Sequence, residues 1–218
     1  MGIIAGANIN DNGLIFSLDA ANFRSYSGSG LTSFGLVGGI GGTLVNGVGF
    51  TSANGGSFIF DGTNDYINFG NSSIIQVLNG TVSAWVKTSS PGGGYRGIIA
   101  KANNYGLFYL DSVLIAYDWG SDQARSTGIN IADGNWKNVA MTFQSAINNG
   151  TIIYINGSPV LTTTISWVNN SYNLYGGAEF NGSQYSNCSG SVFSLYNRVL
   201  TAKEIKQNYN ATKKRYGL

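Results

Sequence analysis

Residues 58–69 read FIFDGTNDYINF, and the fold follows from how this stretch is parsed. Phe58 and Phe60 alternate around Ile59, an Asp-Gly pair turns the chain, and a second alternating run follows from Tyr66 to Phe69. Alternation with period two marks strands. Asp-Gly marks the corner because Gly takes positive φ freely and Asp bonds its own backbone. The pattern is strand, corner, strand. Whether the acids of the corner do more than turn it is a separate question.

The same pattern recurs in both directions. Asn-Gly occurs seven times, at 12, 46, 54, 79, 149, 156 and 181, and Asp-Gly at 61 and 133. Between these turns lie short alternating runs. LIFSLD aligns Leu14, Phe16 and Leu18. TVSAWVKT sets Val82, Ala84 and Val86 on one face and Trp85 on the other. NVAMTF aligns Val139, Met141 and Phe143, and GSVFSLYN aligns Phe193 and Leu195. TIIYING is apolar on both faces, as a central strand between layers would be. Many short strands about ten residues apart predict a sandwich or barrel. The segment 26–49 is Gly-rich and weakly periodic; it reads as a long loop with one short strand, anchored by burial of Leu31, Phe34, Leu36 and Val37. LTAKEI carries a capping box, Thr201 with Glu204, which starts a helix over about 202–212. Leu200 and Ile205 stand at its staple positions, and Ile205 and Tyr209 share a face. The expected organisation is an N-terminal arm, 1–12, and one domain, 13–218.

Composition agrees. Of 218 residues, 43% are hydrophobic and only 10% charged, against roughly 25% in an average soluble protein. Net charge is +2, with the basic excess after Arg198, which reads as a solvated helix face rather than a nucleic-acid surface. The single cysteine, Cys188, excludes an intrachain disulfide. No apolar run approaches a membrane span, and MGIIAGANIND lacks the basic start of a secretion signal. Eight Asn-x-Ser/Thr triplets are expected to be unmodified in the absence of such a signal.

FDGTNDYINFG, VSAWVKT, GIIAK, NWKNVAMTF, IYINGSPV and GSVFSLYNRVLTAKEIKQNYNA occur in that order. Together they resemble the laminin-G-like branch of the concanavalin A-like lectin/glucanase superfamily, over roughly Gly13 to Thr212. The ends, GLIFSLDAANFRSYSGSG and QNYNATKKRYG, look like single-domain members found among tailed-bacteriophage virion proteins. The resemblance implies an all-β jelly-roll sandwich of two antiparallel sheets, one concave, with the short C-terminal helix appended. It also implies glycan or protein binding, often with calcium, or a passive building role.

A glycanase needs two carboxylates facing a cleft, yet the chain has two glutamates, Glu179 and Glu204, and no strand with two acids at alternate positions. The nearest pair, Asp118 and Asp122 in YDWGSD, reads as a loop. With no histidine, Ser-His-Asp, Cys-His and the usual zinc sets are absent. GGGYRG, 92–97, matches a dinucleotide fingerprint by letter but is followed by the strand-like GIIAK, not a helix. Calcium alone stays open: Asp61, Asn64 and Asp65 offer three oxygens within five residues, with Asp19 approaching from the first strand. The alternative is that Asp61 merely turns the chain. For glycans, the candidate stacking residues are Tyr117, Trp119, Trp167, Tyr172 and Tyr175, with Tyr185 beside them and Asn169, Asn170 and Asn173 as amide partners; Trp85 and Trp136 are assigned to structure.

The expectation is therefore a non-enzymatic virion protein, a capsid decoration or fibre-associated jelly-roll. It would assemble in the host cytoplasm, form a homo-oligomer and contact other virion proteins, with no nucleic-acid or membrane partner. The alternative is a calcium-assisted lectin module for cell-surface or extracellular glycans.

Overall fold

The computed structural model describes residues 8–179 and 183–218. Its strands form two antiparallel sheets of eight. The first contains, in spatial order, β14 (Ser158–Thr163), β13 (Thr151–Ile155), β12 (Lys137–Gln144), β7 (Asn79–Lys87), β16 (Asn187–Tyr196), β5 (Ser57–Asp61) and β4 (Gly49–Thr51). Its eighth strand, β1 (Leu14–Asp19), lies end to end with β5 along the same edge of β16. The second sheet runs β11 (Gln123–Asn130), β10 (Val113–Asp118), β9 (Gly106–Leu110), β8 (Tyr95–Lys101), β15 (Leu174–Gly176), β6 (Tyr66–Asn68), β3 (Gly41–Val45), β2 (Thr32–Phe34). The FDGTND corner carries the chain from the first sheet, at β5, into the second, at β6.

The core lies between the sheets. Phe16, Leu18, Phe58, Phe60, Val82, Ala84, Val86, Val139, Met141, Phe143, Phe193 and Leu195 face Ile67, Ile99, Leu107, Tyr109, Leu114 and Ala116 across it. The alternation read from the sequence therefore points the intended side chains inward, with one exception. A bulge between Leu14 and Phe16 turns Leu14 to the other side of β1, where it joins Tyr154, Tyr196, Leu200 and Ile205.

That second cluster also corrects the reading of TIIYING. β13 is one strand from the sheet edge, not central. It is apolar on both faces because helix α1 (Ala202–Thr212) covers its outer side. The helix begins where the capping box places it: the Thr201 N–H donates to Glu204 Oε2 at 2.7 Å, and the Glu204 N–H to Thr201 Oγ1 at 3.3 Å. Leu200 and Ile205 are both buried, and Tyr209 with Tyr216 of the following turn stacks on Trp85. Residues 8–12, expected as part of an N-terminal arm, are bonded to this helix region; Asn10 N–H donates to Asn208 Oδ1 and Arg198 Nε to the Asn12 carbonyl. Residues 1–7 of that arm lie outside the described residues.

The segment 26–49 differs from expectation. It holds two complete strands, β2 and β3, and its burial comes from Tyr26, Ser33, Ile40 and Leu44. Leu31, Phe34 and Leu36 face solvent at 67%, 60% and 36% exposure, in and beside edge strand β2, over which no layer lies among the described residues, while Val37 packs against the second cluster as expected.

Candidate functional site

The second sheet has its own aromatic outer face. Ala100, Phe108 and Ile115 are buried there beneath Tyr95, Tyr117 and Trp119. Phe108 meets Tyr117 and Trp119 edge-on, with ring centroids 6.4 and 5.9 Å apart. Tyr117, like Ile115, points outward from β10, and Trp119 stands in the turn just beyond that strand.

After β15, residues 177–179 and 184–186 lie against this face beside β8. The Gly97 N–H donates to the Gln184 carbonyl at 2.9 Å, the Gly177 N–H to the Ile98 carbonyl at 3.0 Å, and Ser186 Oγ to the Gly97 carbonyl at 2.6 Å. Gly97 pairs with Phe108 and so points the same way. A Cβ on Gly97 would lie 2.3 Å from the Ala178 carbonyl carbon, closer than van der Waals contact allows. The last glycine of GGGYRG is therefore what lets this segment lie against the sheet. It serves a protein loop, not a phosphate.

This segment delivers Glu179. Trp119 Nε1 donates to Glu179 Oε1 at 3.1 Å, and burial pushes the Glu179 carboxyl above its ordinary range, an effect this bond partly offsets. Two depressions meet at this pair. One, of about 230 Å³, is lined by Tyr95, Tyr117, Trp119, Asp122, Glu179 and Gln184. The other, of about 290 Å³, is lined by Ala102, Asn103, Trp119, Tyr172, Glu179 and Ser183. On the far wall the Tyr117 hydroxyl donates to Asp122 Oδ1, and that bond raises the Tyr117 hydroxyl to about 12.

Lys101 supports the second depression from beneath. Its side chain is fully buried, and its ammonium donates to Asn71 Oδ1 at 3.0 Å, the Asn170 carbonyl at 2.8 Å, Asn170 Oδ1 at 2.9 Å and the Tyr172 carbonyl. Burial pulls its pKa down to about 8. Four oxygens around one ammonium fix the loop that presents Tyr172, which is 40% exposed.

Of the five expected stacking residues, Tyr117, Trp119 and Tyr172 converge on this groove. Trp167 does not: it is 3% exposed, packed against Phe143, with Nε1 donating to Thr151 Oγ1 at 3.2 Å. Tyr175 is also buried, on β15, edge-on to Tyr66. Both read as loop residues in sequence but fall where a layer covers them. Tyr185 is half-buried and stacks on Tyr66. Of the amides, Asn170 holds Lys101. Sequence reasoning missed Tyr95, Asp122 and Glu179 as groove residues. Only the GGGYRG glycine hinted at a close approach. Asp118 and Asp122 do not act as a pair, since Asp118 is buried and bridged to Arg125 at 2.7 Å.

The FDGTND corner works first as a turn. Asp61 Oδ1 accepts the Thr63 N–H at 2.7 Å and the Asn64 N–H at 3.4 Å, and the Thr63 bond leads in holding its carboxyl below its ordinary range. Asp65 is buried; its Oδ2 accepts the Asp61 N–H at 3.2 Å, while Oδ1 has no hydrogen-bond partner among the described residues. Burial raises the Asp65 carboxyl. Asn64 is exposed, and its carbonyl accepts Asn46 Nδ2 at 3.0 Å. Asp19 cannot join them. It pairs with Val192, whereas Asp61 pairs with Asn187, five positions along β16 and so about 17 Å away. Its carboxylate is bridged to Arg215 at 2.7 Å. Among the described residues no three of His, Cys, Asp or Glu converge on one point.

Comparison with known proteins agrees with this architecture. A family model described as the concanavalin A-like lectin/glucanases superfamily matches residues 61–206. No curated protein matches the sequence. Among solved structures, the Trypanosoma rangeli sialidase in complex with the inhibitor DANA aligns with a TM-score of 0.74 at 16% identity, over 99% of this chain and 35% of that one. The binding domain of Paraclostridial Mosquitocidal Protein 1 aligns with a TM-score of 0.69 at 15% identity, over 90% and 52%. The receptor binding domain of botulinum neurotoxin C/D mosaic serotype gives 0.68 at 16%, over 90% and 51%. This chain thus spans a third to a half of those chains, and at such identity the likeness is one of fold.

Proposed function

The chain belongs to the concanavalin A-like lectin/glucanases superfamily, and from its groove chemistry we propose that it is a non-enzymatic carbohydrate-binding module. The carrying observation is the open groove in which Trp119, Tyr117, Tyr95 and Tyr172 surround Glu179 and Asp122. Aromatic faces stack on the C–H surfaces of sugars, and carboxylates accept from their hydroxyls. The test is a glycan array with wild type and Trp119→Ala. Binding that Trp119→Ala reduces at least tenfold supports the reading, and wild-type silence overturns it. Release of new reducing ends, lost in Glu179→Gln, would show instead that Glu179 and Asp122 work as a hydrolytic pair.

Calcium enters this reading as a structural ion. The unpartnered Asp65 Oδ1, with Asp61 beside it, fits one cation at the corner, completed by main-chain oxygens. A melting temperature that rises in calcium and falls in EDTA, with no change in Asp65→Asn, supports it.

We further propose that the module is carried on a tailed-phage particle, as a homo-oligomer or on a capsid or fibre protein. The support is the sequence resemblance of both chain ends and the exposed edge strand β2 with Leu31 and Phe34. Labelling of purified particles with an antibody to the domain tests it, and unlabelled particles would overturn it.

A further inference from the structure

The two depressions share a wall made by one residue pair, Trp119 and Glu179. Among the described residues neither is lined by lysine or arginine, while carboxylates stand in both: Glu179 between them and Asp122 in the first. Three cations of this sheet and its flanks are held by other groups. Arg125 is bridged to Asp118, Lys101 is enclosed by four oxygens beneath the surface, and Arg96 donates to the Tyr185 and Gly93 carbonyls.

Resting on the carbohydrate reading above, we propose that the groove selects an uncharged oligosaccharide of at least two sugar units straddling Trp119, and rejects sugars bearing carboxylate or sulfate. Each carboxylate is oriented by one aromatic donor, Glu179 by the Trp119 indole and Asp122 by the Tyr117 hydroxyl. A carboxylate has about four lone-pair sites, so each keeps acceptor capacity for sugar hydroxyls. A ligand carboxylate or sulfate would find no cation to pair with. It would lose its hydration between aromatic walls while facing two like charges. One sugar in each depression places the linkage over the Trp119 ring, so a single sugar reaches only half of the contacts.

The experiment compares immobilised neutral disaccharides to tetrasaccharides with the same glycans capped by sialic acid or carrying sulfate, and with the free monosaccharides. Wild type is expected to bind its best neutral glycan at least tenfold tighter than the anionic counterpart and tenfold tighter than any monosaccharide. Glu179→Gln and Asp122→Asn, each folded by circular dichroism, should narrow the neutral-to-anionic ratio towards one while Trp119→Ala removes both. Equal or tighter binding of the anionic glycans, still sensitive to Trp119→Ala, overturns the charge selection and leaves the carbohydrate reading standing. Equal binding of monosaccharide and disaccharide overturns the straddling geometry. Absence of binding to every glycan overturns both readings.

Discussion

Trp85 and Trp119 stand on the outer sides of opposite sheets, and the chain treats them differently. Trp85 is 2% exposed, stacked by Tyr216 at 3.9 Å and Tyr209 at 5.9 Å between ring centroids, with Nε1 donating to Thr212 Oγ1. The C-terminal helix and turn exist on that face to cover it. Trp119 is half-buried, its indole N–H is held by a carboxylate, and among the described residues no helix lies over it. An aromatic outside a sheet is structural when the chain supplies a cover. When the chain supplies a polar partner and leaves the ring open, the ring is available to something else.

Four measurements sharpen or break this contrast. The largest effect is expected from Trp85→Ala, which should cost about 3–5 kcal/mol in denaturant unfolding, while Trp119→Ala costs about 1 kcal/mol. Similar losses at both positions would break the contrast. Lys101→Ala should follow, at about 3 kcal/mol, because it removes the ammonium donor from the Asn170 and Tyr172 carbonyls and from the Asn71 and Asn170 amides, and leaves a void under the Tyr172 loop. An unchanged unfolding midpoint would mean that water replaces the ammonium.

Gly97→Ala should cost about 1–3 kcal/mol and weaken any groove ligand more than tenfold, since the new Cβ displaces the segment carrying Glu179. Retained affinity would show that Glu179 is dispensable. The smallest effect is expected at Glu179 itself. Its carboxyl is raised in the folded state, so the stability it contributes is present at low pH and is lost as pH climbs through the folded value. At pH 7 Glu179→Gln should therefore raise the melting temperature by about 1–2 °C, and the gain should vanish near pH 4. A gain that persisted there would place the cause elsewhere than in the charge.

Much of the scaffold was legible beforehand because period-two alternation, Asn-Gly turns and a capping box are local codes. Val82, Ala84 and Val86 point inward as their spacing requires, and the helix starts at its box. Trp119 and Tyr117 were legible as groove aromatics because YDW sits beside a turn. Trp167 and Tyr175 were misplaced since nothing in ISWVNNSY or LYGG reports which layer will pass over them. Leu31 and Phe34 were misplaced for the opposite reason: apolar residues signal burial only where a covering layer exists.

The sequence by itself determined the all-β class, the inward face of most strands, the helix and its cap, and the lack of histidine chemistry. Only tertiary structure decided that Glu179 meets Trp119 across 60 positions, that Asp19 and Asp61 pair with β16 residues five positions apart, and that Lys101 is enclosed by Asn71, Asn170 and Tyr172. Side-chain alternation along a strand and the capping of a helix are properties of neighbours in the chain. A groove depends instead on which distant segments a glycine such as Gly97 allows to touch.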